Sequence, residues 1–350
     1  MTAPNETYFY GRHGSPLTYN GFLLGNEWWP NIQLPPFTLR ILFTDGTVPT
    51  TTAGTWTQVS SSPNIWDIHY ENTNWEWLLT RGDAYTGPNP AIPYPTAHEV
   101  RAVIGANTTG VQNMRHLLGE CQYMVRVCPM DTSSVTNMEG MFTFCKRLRK
   151  IPPMDTSNVT TMEHMFENCT AITDIPFMDT SNVTNMYTMF NGCYNLKTIP
   201  SIDTSNVTTM YWMFMGCSRL EAIPLLDTSS VSDMTQMFAG CSSLVELPLL
   251  DTSSVTLFNG FCRGCTSLSY IPDFSIASLY GGNFTDMFRN CNNVAYGSYN
   301  MYVKLNNHMG GQIPPSNLNK VFSNCGIDSP TGLVELNKIP VTYGGLKPIA

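Results

Sequence analysis

Charge is what this chain has least of. Only 13% of its 350 residues are Asp, Glu, Lys or Arg, and acidic outnumber basic residues by 26 to 18, a formal net charge of −8. A nucleic-acid binder needs a basic face, so that class is set aside. Long apolar runs are also missing, since the repeat region has no stretch of the length a membrane-spanning helix needs. The first residues, Met1-Thr2-Ala3-Pro4-Asn5-Glu6, lack the basic and apolar segments of a secretory signal. The expectation is a chain without a membrane span that does not use a conventional signal as written; a chain whose signal had been removed would read the same. Histidine is scarce: the six are scattered, and no Ser-His-Asp or Cys-His set can be assembled from them.

Cysteine is not scarce, but its placement argues against a disulfide framework. Seven of the eleven, from Cys121 to Cys265, recur at one repeat slot, where parallel side-chain vectors suit disulfide geometry poorly. They are expected to be buried thiols acting as small apolar fillers. Cys262 and Cys265 have the interval of half a zinc site, but no second pair accompanies them.

Repetition is what the chain has in abundance. Aspartates stand at 131, 155, 179, 203, 227 and 251 and cysteines at 145, 169, 193, 217, 241 and 265, a 24-residue period without a slip. Each copy reads Asp-Thr-Ser-(Asn/Ser)-Val, then Met or a substitute, an apolar pair, Cys, and Leu or Ile; most end on Ile-Pro or Leu-Pro. Such a period marks a solenoid. Within one copy Val159, Met162, Met165, Phe166, Cys169, Ile172 and Ile175 form one apolar wedge that the copy cannot bury alone. Stacking at about the 4.8 Å strand spacing aligns like with like. The Asp-Thr-Ser corner is turn chemistry, because Asp and Ser side chains accept from backbone N–H groups two or three residues on. The Met-x-x-Met-Phe-x-x-Cys block has i, i+3, i+4, i+7 spacing and is predicted as one or two helical turns. Leu-x-x-Ile-Pro is predicted as extended. The fold class expected is an α/β solenoid of 24-residue coils, each a short helix with short parallel strands. Stacked aspartates repel unless their own turns satisfy them. Calcium bridging competes poorly, since each coil supplies one carboxylate where a hard cation wants six or more oxygens. No metal and no cofactor are expected.

Asp179-Thr180-Ser181-Asn182-Val183-Thr184-Asn185-Met186, followed by Met189-Phe190-Asn191-Gly192-Cys193, resembles the BspA-type leucine-rich repeats of bacterial and mobile-element surface proteins almost word for word. The likeness covers somewhat more than half the chain. It implies the repeat architecture, and adhesion or recognition at a cell or virion surface. It implies no reaction, because that family is united by a scaffold. Similar repeats occur in proteins of gut bacteria and their phages; together with the absent signal this favours a virion-surface or extracellular setting.

Residues 1–99 are different material, with six of the seven tryptophans and many prolines. Strands are predicted at 37–43, 56–59 and 66–70, giving a β-rich module that attaches the chain or caps the array. Trp75, Leu78 and Leu79 repeat the spacing of the first Met and the Met-Phe pair, so 64–80 reads as an irregular capping coil, and 87–95 as a Pro-rich loop. The array itself is placed at 100–294. The remainder, 295–350, holds an irregular last copy around Val321-Phe322 and Cys325, with surplus residues near 296–307 bulging as a loop or hairpin, then a cap rich in Gly, Pro and β-formers such as Val334, Val341 and Tyr343.

Two outward slots between the methionines carry the variation: Glu139-Gly140, Glu163-His164, Tyr187-Thr188, Tyr211-Trp212, Thr235-Gln236 and Asn259-Gly260. The middle coils therefore set Tyr187, Tyr211 and Trp212 side by side, with Tyr194 and Arg219 on the following turn, a candidate platform for a host-surface glycan or protein. Surface aromatics also serve as ordinary surface or as contacts between subunits of a homo-oligomer. Glu139 and Glu163 share a slot in adjacent coils, where carboxylates can approach the separation retaining glycosidases use, but a solvated helix face is the plainer reading. Lys146, Arg147, Arg149 and Lys150 form the one basic cluster, a solvated edge or a contact for an acidic partner. Arg81-Gly82-Asp83 reads as a loop, and the sequons at Asn158, Asn182 and Asn206 follow from the turn sequence.

The function expected is a non-enzymatic surface recognition or structural protein, a virion fibre, decoration protein or adhesin whose partners are other virion or surface proteins and a host-surface ligand. The alternatives are a polysaccharide depolymerase built on a solenoid and a structural spacer.

Overall fold

The computed structural model describes residues 18–19, 22–23, 34–44, 55–61, 63–75, 99–274, 282–308 and 315–346. Leu78 and Leu79, Arg81-Gly82-Asp83, the 87–95 loop and Trp28, Trp29 and Trp77 lie outside them.

All three strands predicted near the N-terminus form, within two residues of the expected bounds. A small hairpin pairs β1 (Thr18–Tyr19) with β2 (Phe22–Leu23). β3 (Thr38–Phe43), β4 (Thr55–Ser61), β5 (Asn64–His69), β6 (Val100–Asn107) and β7 (Arg126–Val127) make a five-stranded mixed sheet in the order β4-β5-β3-β6-β7. Alternation along β3 divides its side chains. Leu39, Ile41 and Phe43 join the main core with Ile68, Val100 and Val103, while Leu42 forms a second cluster with Ile65, Ala102 and Ile104. Val100 and Val103, read as repeat slots, sit in β6. That strand pairs antiparallel with β3 and parallel with β7, which belongs to the copy containing Cys121, so the sheet runs directly into the repeats. Trp75 is fully buried and its backbone N–H donates to Asn113 O, which puts it in the first-Met slot as the sequence suggested.

The copies stack through parallel bridges that run Asn74, Asn113, Asn137, Thr161, Asn185, Thr209, Asp233, Leu257, Asn283. The predicted short helix in each copy is replaced by something else. Met141, Thr143 and Cys145 donate their N–H groups three residues back, to Met138, Gly140 and Phe142. The alternate N–H groups, of Met138, Gly140, Phe142 and Phe144, donate instead to Thr161, Glu163, Met165 and Glu167 of the next coil. An α-helix uses these donors internally, four residues back. The block is therefore a ribbon of tight turns, and alternate turns carry a positive φ at their third residue, as a type II turn requires: Gly140 and Phe144, Thr188 and Gly192, Trp212 and Gly216. The helical spacing still marked the right side chains, since Met138, Met141, Phe142 and Cys145 are all buried. Consecutive i→i+3 turns bring the same positions to one face. The predicted parallel strands likewise reduce, beyond β6 and β7, to isolated bridges and single bonds such as Lys197 N–H to Thr173 O.

Like does align with like in the interior. Phe142, Phe166, Phe190, Phe214 and Phe238 stack face to face at 5.4–5.7 Å with interplanar angles of 3–9°. All eleven cysteines are free and buried, and those of the ladder do more than fill space. Cys169, Cys193 and Cys217 donate their thiols to Phe142 O, Phe166 O and Phe190 O one coil back, at 3.0–3.1 Å. At the corner, Asp131, Asp155, Asp179, Asp203 and Asp227 each accept the N–H and the hydroxyl of the serine two residues on, as expected. These serine bonds hold the carboxyls of Asp155, Asp179 and Asp227 below the usual range. Buried threonines Thr156, Thr180, Thr204 and Thr228 donate to the aspartate carbonyl of the next coil at 2.6–2.8 Å. The sequon amides of Asn158, Asn182 and Asn206 donate to serine carbonyls one coil back.

The far end closes with helices, where a loop and β-formers were expected. The surplus residues form α1 (Ser298–His308), whose first turn is capped by Glu335: its Oε2 accepts from Ser298 Oγ and Tyr299 N. Glu335 lies on α2 (Pro330–Leu336), which begins with Ser329 as N-cap and proline in the first turn, a start signal that outweighs the β preference of Val334. Val321, Phe322 and Cys325 form the last coil, accepting bonds from the one that contains Cys291: Phe288 N–H donates to Val321 O. No described helix is long and apolar enough to cross a membrane.

Two measurements test this packing. Phe190→Ala removes a fully buried ring stacked on both sides and is expected to cost roughly 3–5 kcal/mol in denaturant unfolding; a loss under about 1 kcal/mol would mean the ladder is not a close-packed core. Thiol titration is expected to find the native protein almost unreactive and all eleven thiols reactive after unfolding, because burial hides them and pushes thiols such as that of Cys128 up, to about 12.

Candidate functional site

The outward slots of the turn ribbon place the candidate residues. The second slot has positive φ in every coil from His116 to Gly260, whatever the residue type. The side chains of His116 and Gln236 lean over the same slot of the following coil. A Cβ at Gly140 would stand 2.2 Å from the His116 ring, and one at Gly260 would stand 2.9 Å from Gln236 Cγ. At Gly140 and Gly260 the side chain of the preceding coil occupies the space a Cβ would need.

In the middle coils this slot and the one before it build a continuous aromatic run. Tyr187 and Tyr211 stack at 5.0 Å with an interplanar angle of 3°, Tyr211 and Trp212 pack at 4.7 Å and 27°, and His164 meets Tyr187 edge-on at 5.2 Å. The tyrosines and Trp212 are half-buried. Burial, then the charge of Asp233, pushes the Tyr211 phenol up. Trp212 combines a bulky ring with φ 56°, a conformation that costs a non-glycine residue about 1 kcal/mol or more, and its buried indole N–H meets no acceptor among the described residues. Tyr194 and Arg219 are exposed on the turn after the cysteine and make no ring or ion-pair contact with this run among the described residues.

A polar network, invisible in the sequence, adjoins the aromatic run. His164 Nδ1 donates to Glu167 Oε2 at 2.8 Å, its Nε2 lies 3.2 Å from Glu163 Oε1, and Thr188 Oγ1 also reaches Nδ1. Asn185 and Asn191 donate to the remaining oxygens of Glu163 and Glu167. Burial lowers the imidazole pKa, but the bonds and charges of the two glutamates outweigh it and hold His164 at about 9. Glu163 is therefore part of a cationic histidine clamp, where a solvated helix face was expected. Glu139 is held in turn by Arg115 at 2.9 Å and by His116; burial raises its pKa, but these partners bring it below the usual range. The shared slot of Glu163 and His164 with their relatives was legible. That His164 turns back to Glu167 depended on a left-handed backbone that the sequence does not announce.

A second surface also went unread. The slot two residues before each aspartate holds Pro129, Pro153, Phe177, Ser201, Leu225 and Leu249. Phe177, Leu225 and Leu249 are 65–70% exposed. Leu225 and Leu249 line an open groove of about 460 Å³ that includes Ile202, Leu226 and Asp227. Among the described residues no three His, Cys, Asp or Glu side chains gather as metal ligands would.

The clamp has a pH signature. His164 bonds its glutamates as a cation, with a folded pKa near 9 against about 6.5 unfolded. The stabilisation is complete below the lower value and disappears as pH rises through the upper one, on the order of 2 kcal/mol. Native Tm is expected to fall between about pH 7 and pH 10 by several degrees more than that of His164→Gln; parallel curves would show that the clamp contributes nothing.

No curated protein matches the chain. The family described as "Mycoplasma protein of unknown function, DUF285" matches residues 96–201, 171–274 and 194–301 in overlapping registers, so that more than half the chain is covered. The overlapping matches are what a repeat shifted along itself produces, and they support the BspA-type reading of the 24-residue copies. The chain is a repeat protein, and it belongs to the DUF285 family.

Proposed function

We propose that this protein is a non-enzymatic recognition protein of a cell or virion surface, a solenoid whose outward aromatic run, Tyr187, Tyr211 and Trp212, contacts a surface glycan or protein. The observation that carries the reading is the character of Trp212. A half-buried indole whose N–H meets no acceptor among the described residues occupies a left-handed position that two other coils, those of Gly140 and Gly260, fill with glycine. Packing within the coil does not require it, since Gly140 and Gly260 serve the same slot. His116, His164, Thr188 and Gln236 share the left-handed conformation of this slot, so what sets Trp212 apart is its large ring packed on Tyr211 and an indole N–H that meets no acceptor among the described residues. The stack fixes the rings in advance, so little side-chain freedom is lost on binding. Tyr194 and Arg219 extend the surface along the next turn. A depolymerase would need a carboxylic acid kept protonated opposite a carboxylate. Glu139 instead has its pKa lowered by cations, and Glu163 is engaged by His164 and Asn185.

The repeat supplies its own control. Tyr211→Thr with Trp212→Gln writes the next coil's pair, Thr235 and Gln236, into this one. Attachment of the purified protein to candidate cells, or its retention in the native particle, is expected to weaken at least about tenfold, while Tm stays within a few degrees of wild type. Unchanged attachment and assembly would leave the aromatics as surface and favour a spacer.

A further inference from the structure

The basic cluster lies apart from the aromatic run and has a geometry of its own. Arg101, on β6, and Arg147, on the turn after Cys145, lie over the ring of Tyr123, with their guanidinium carbons 4.9 and 5.0 Å from its centroid. Lys146 sits 6.0 Å from the exposed ring of Phe144, and Arg149 is exposed beside them. None of Arg101, Lys146, Arg147 and Arg149 forms an ion pair with a carboxylate among the described residues, although acidic side chains outnumber basic ones in the chain as a whole. Like charges held around one ring raise the local potential and attract anions. The guanidinium planes are also fixed by their contact with the ring, which leaves their N–H edges to bind oxyanions in pairs.

We propose that Arg101 and Arg147, held on Tyr123, together with Lys146 and Arg149, bind an anionic polysaccharide bearing carboxylate or sulfate groups on successive sugars. The site is separate from the aromatic platform and does not rest on the function assigned to it. A nucleic acid fits less well. Single strands bind through bases stacked on open aromatic faces, and the Tyr123 ring already has one guanidinium packed on it from β6 and another from the turn after Cys145. A chain of sugars with spaced charges needs only the short cationic edge.

The next coil again provides a fold-neutral variant. Lys146→Thr, Arg147→Ala and Arg149→Thr install the residues found one period on, Thr170, Ala171 and Thr173. Binding of the full chain to heparin, polygalacturonate, uncharged dextran and a single-stranded oligonucleotide can be compared at low ionic strength, with the melting curve of each protein recorded. The expected result is binding to heparin, polygalacturonate or both, weakened at least about tenfold by added salt and by the triple substitution, with the melting curve unchanged. Preference between the two probes tells sulfate from carboxylate. The proposal is overturned if neither polymer binds, if dextran or the oligonucleotide binds equally well, or if the triple variant with an unaltered melting curve binds as wild type does.

Discussion

Half of the backbone N–H groups in the Met-to-Cys block of a coil have no acceptor within that coil, and the rest of the structure depends on their being met by the next one. Met138, Gly140, Phe142 and Phe144 donate across the gap, and their counterparts repeat the pattern coil after coil. A buried N–H without a partner is costly, so a single copy has no stable form alone and each added copy satisfies the one before it. The same bonds fix the register. Once the backbones are locked in parallel, residues one period apart must lie over one another, and the phenylalanine stack and thiol-to-carbonyl bonds follow.

The two ends show what an open stack requires. At one end the array meets a sheet in which β6 pairs with both β3 and β7, so the first coil's backbone groups are met by strands, and Trp75 closes the core. At the other, Tyr343 O of the short Val341–Tyr343 turn accepts the last coil's Phe322 N–H, and α1 and α2 are tied to each other by Glu335. Between them the interior tolerates little change, because each side chain packs against copies of itself. Inward slots exchange one apolar residue for another, as where Phe258, Phe261 and Cys262 follow Met234, Met237 and Phe238, while the wider variation lies in outward slots, where aromatic residues, a histidine clamped by two glutamates and a patch of cations occupy successive regions of one scaffold.

Those regions differ in how they obtain their geometry. The aromatic run arises from adjacency, since rings at one slot in consecutive coils stack almost parallel, as Tyr187 and Tyr211 do. The histidine clamp arises from backbone conformation, since a left-handed residue turns His164 toward Glu167 three positions on. The cationic patch arises at the junction of sheet and array, where Arg101 of a strand and Arg147 of a coil reach the same tyrosine.

The sequence by itself determined the period, the repeat family, the identity of the buried side chains, the capped aspartate corners, the three N-terminal strands and the grouping of Tyr187, Tyr211 and Trp212. Each of these depends on spacing or on local turn chemistry, and both survive in one dimension. The tertiary structure alone decided that Met-x-x-Met-Phe-x-x-Cys is a ribbon of turns. Turns and helix share a side-chain spacing and differ only in whether an N–H donates within its coil or to the next. It decided that the surplus residues near 296–307 form a helix, because the carboxylate that caps it, Glu335, lies more than thirty residues away in sequence. It also placed Tyr194 and Arg219 off the aromatic stack and joined Arg101 to Arg147, since exposure and contact between distant residues exist only once the coils are stacked.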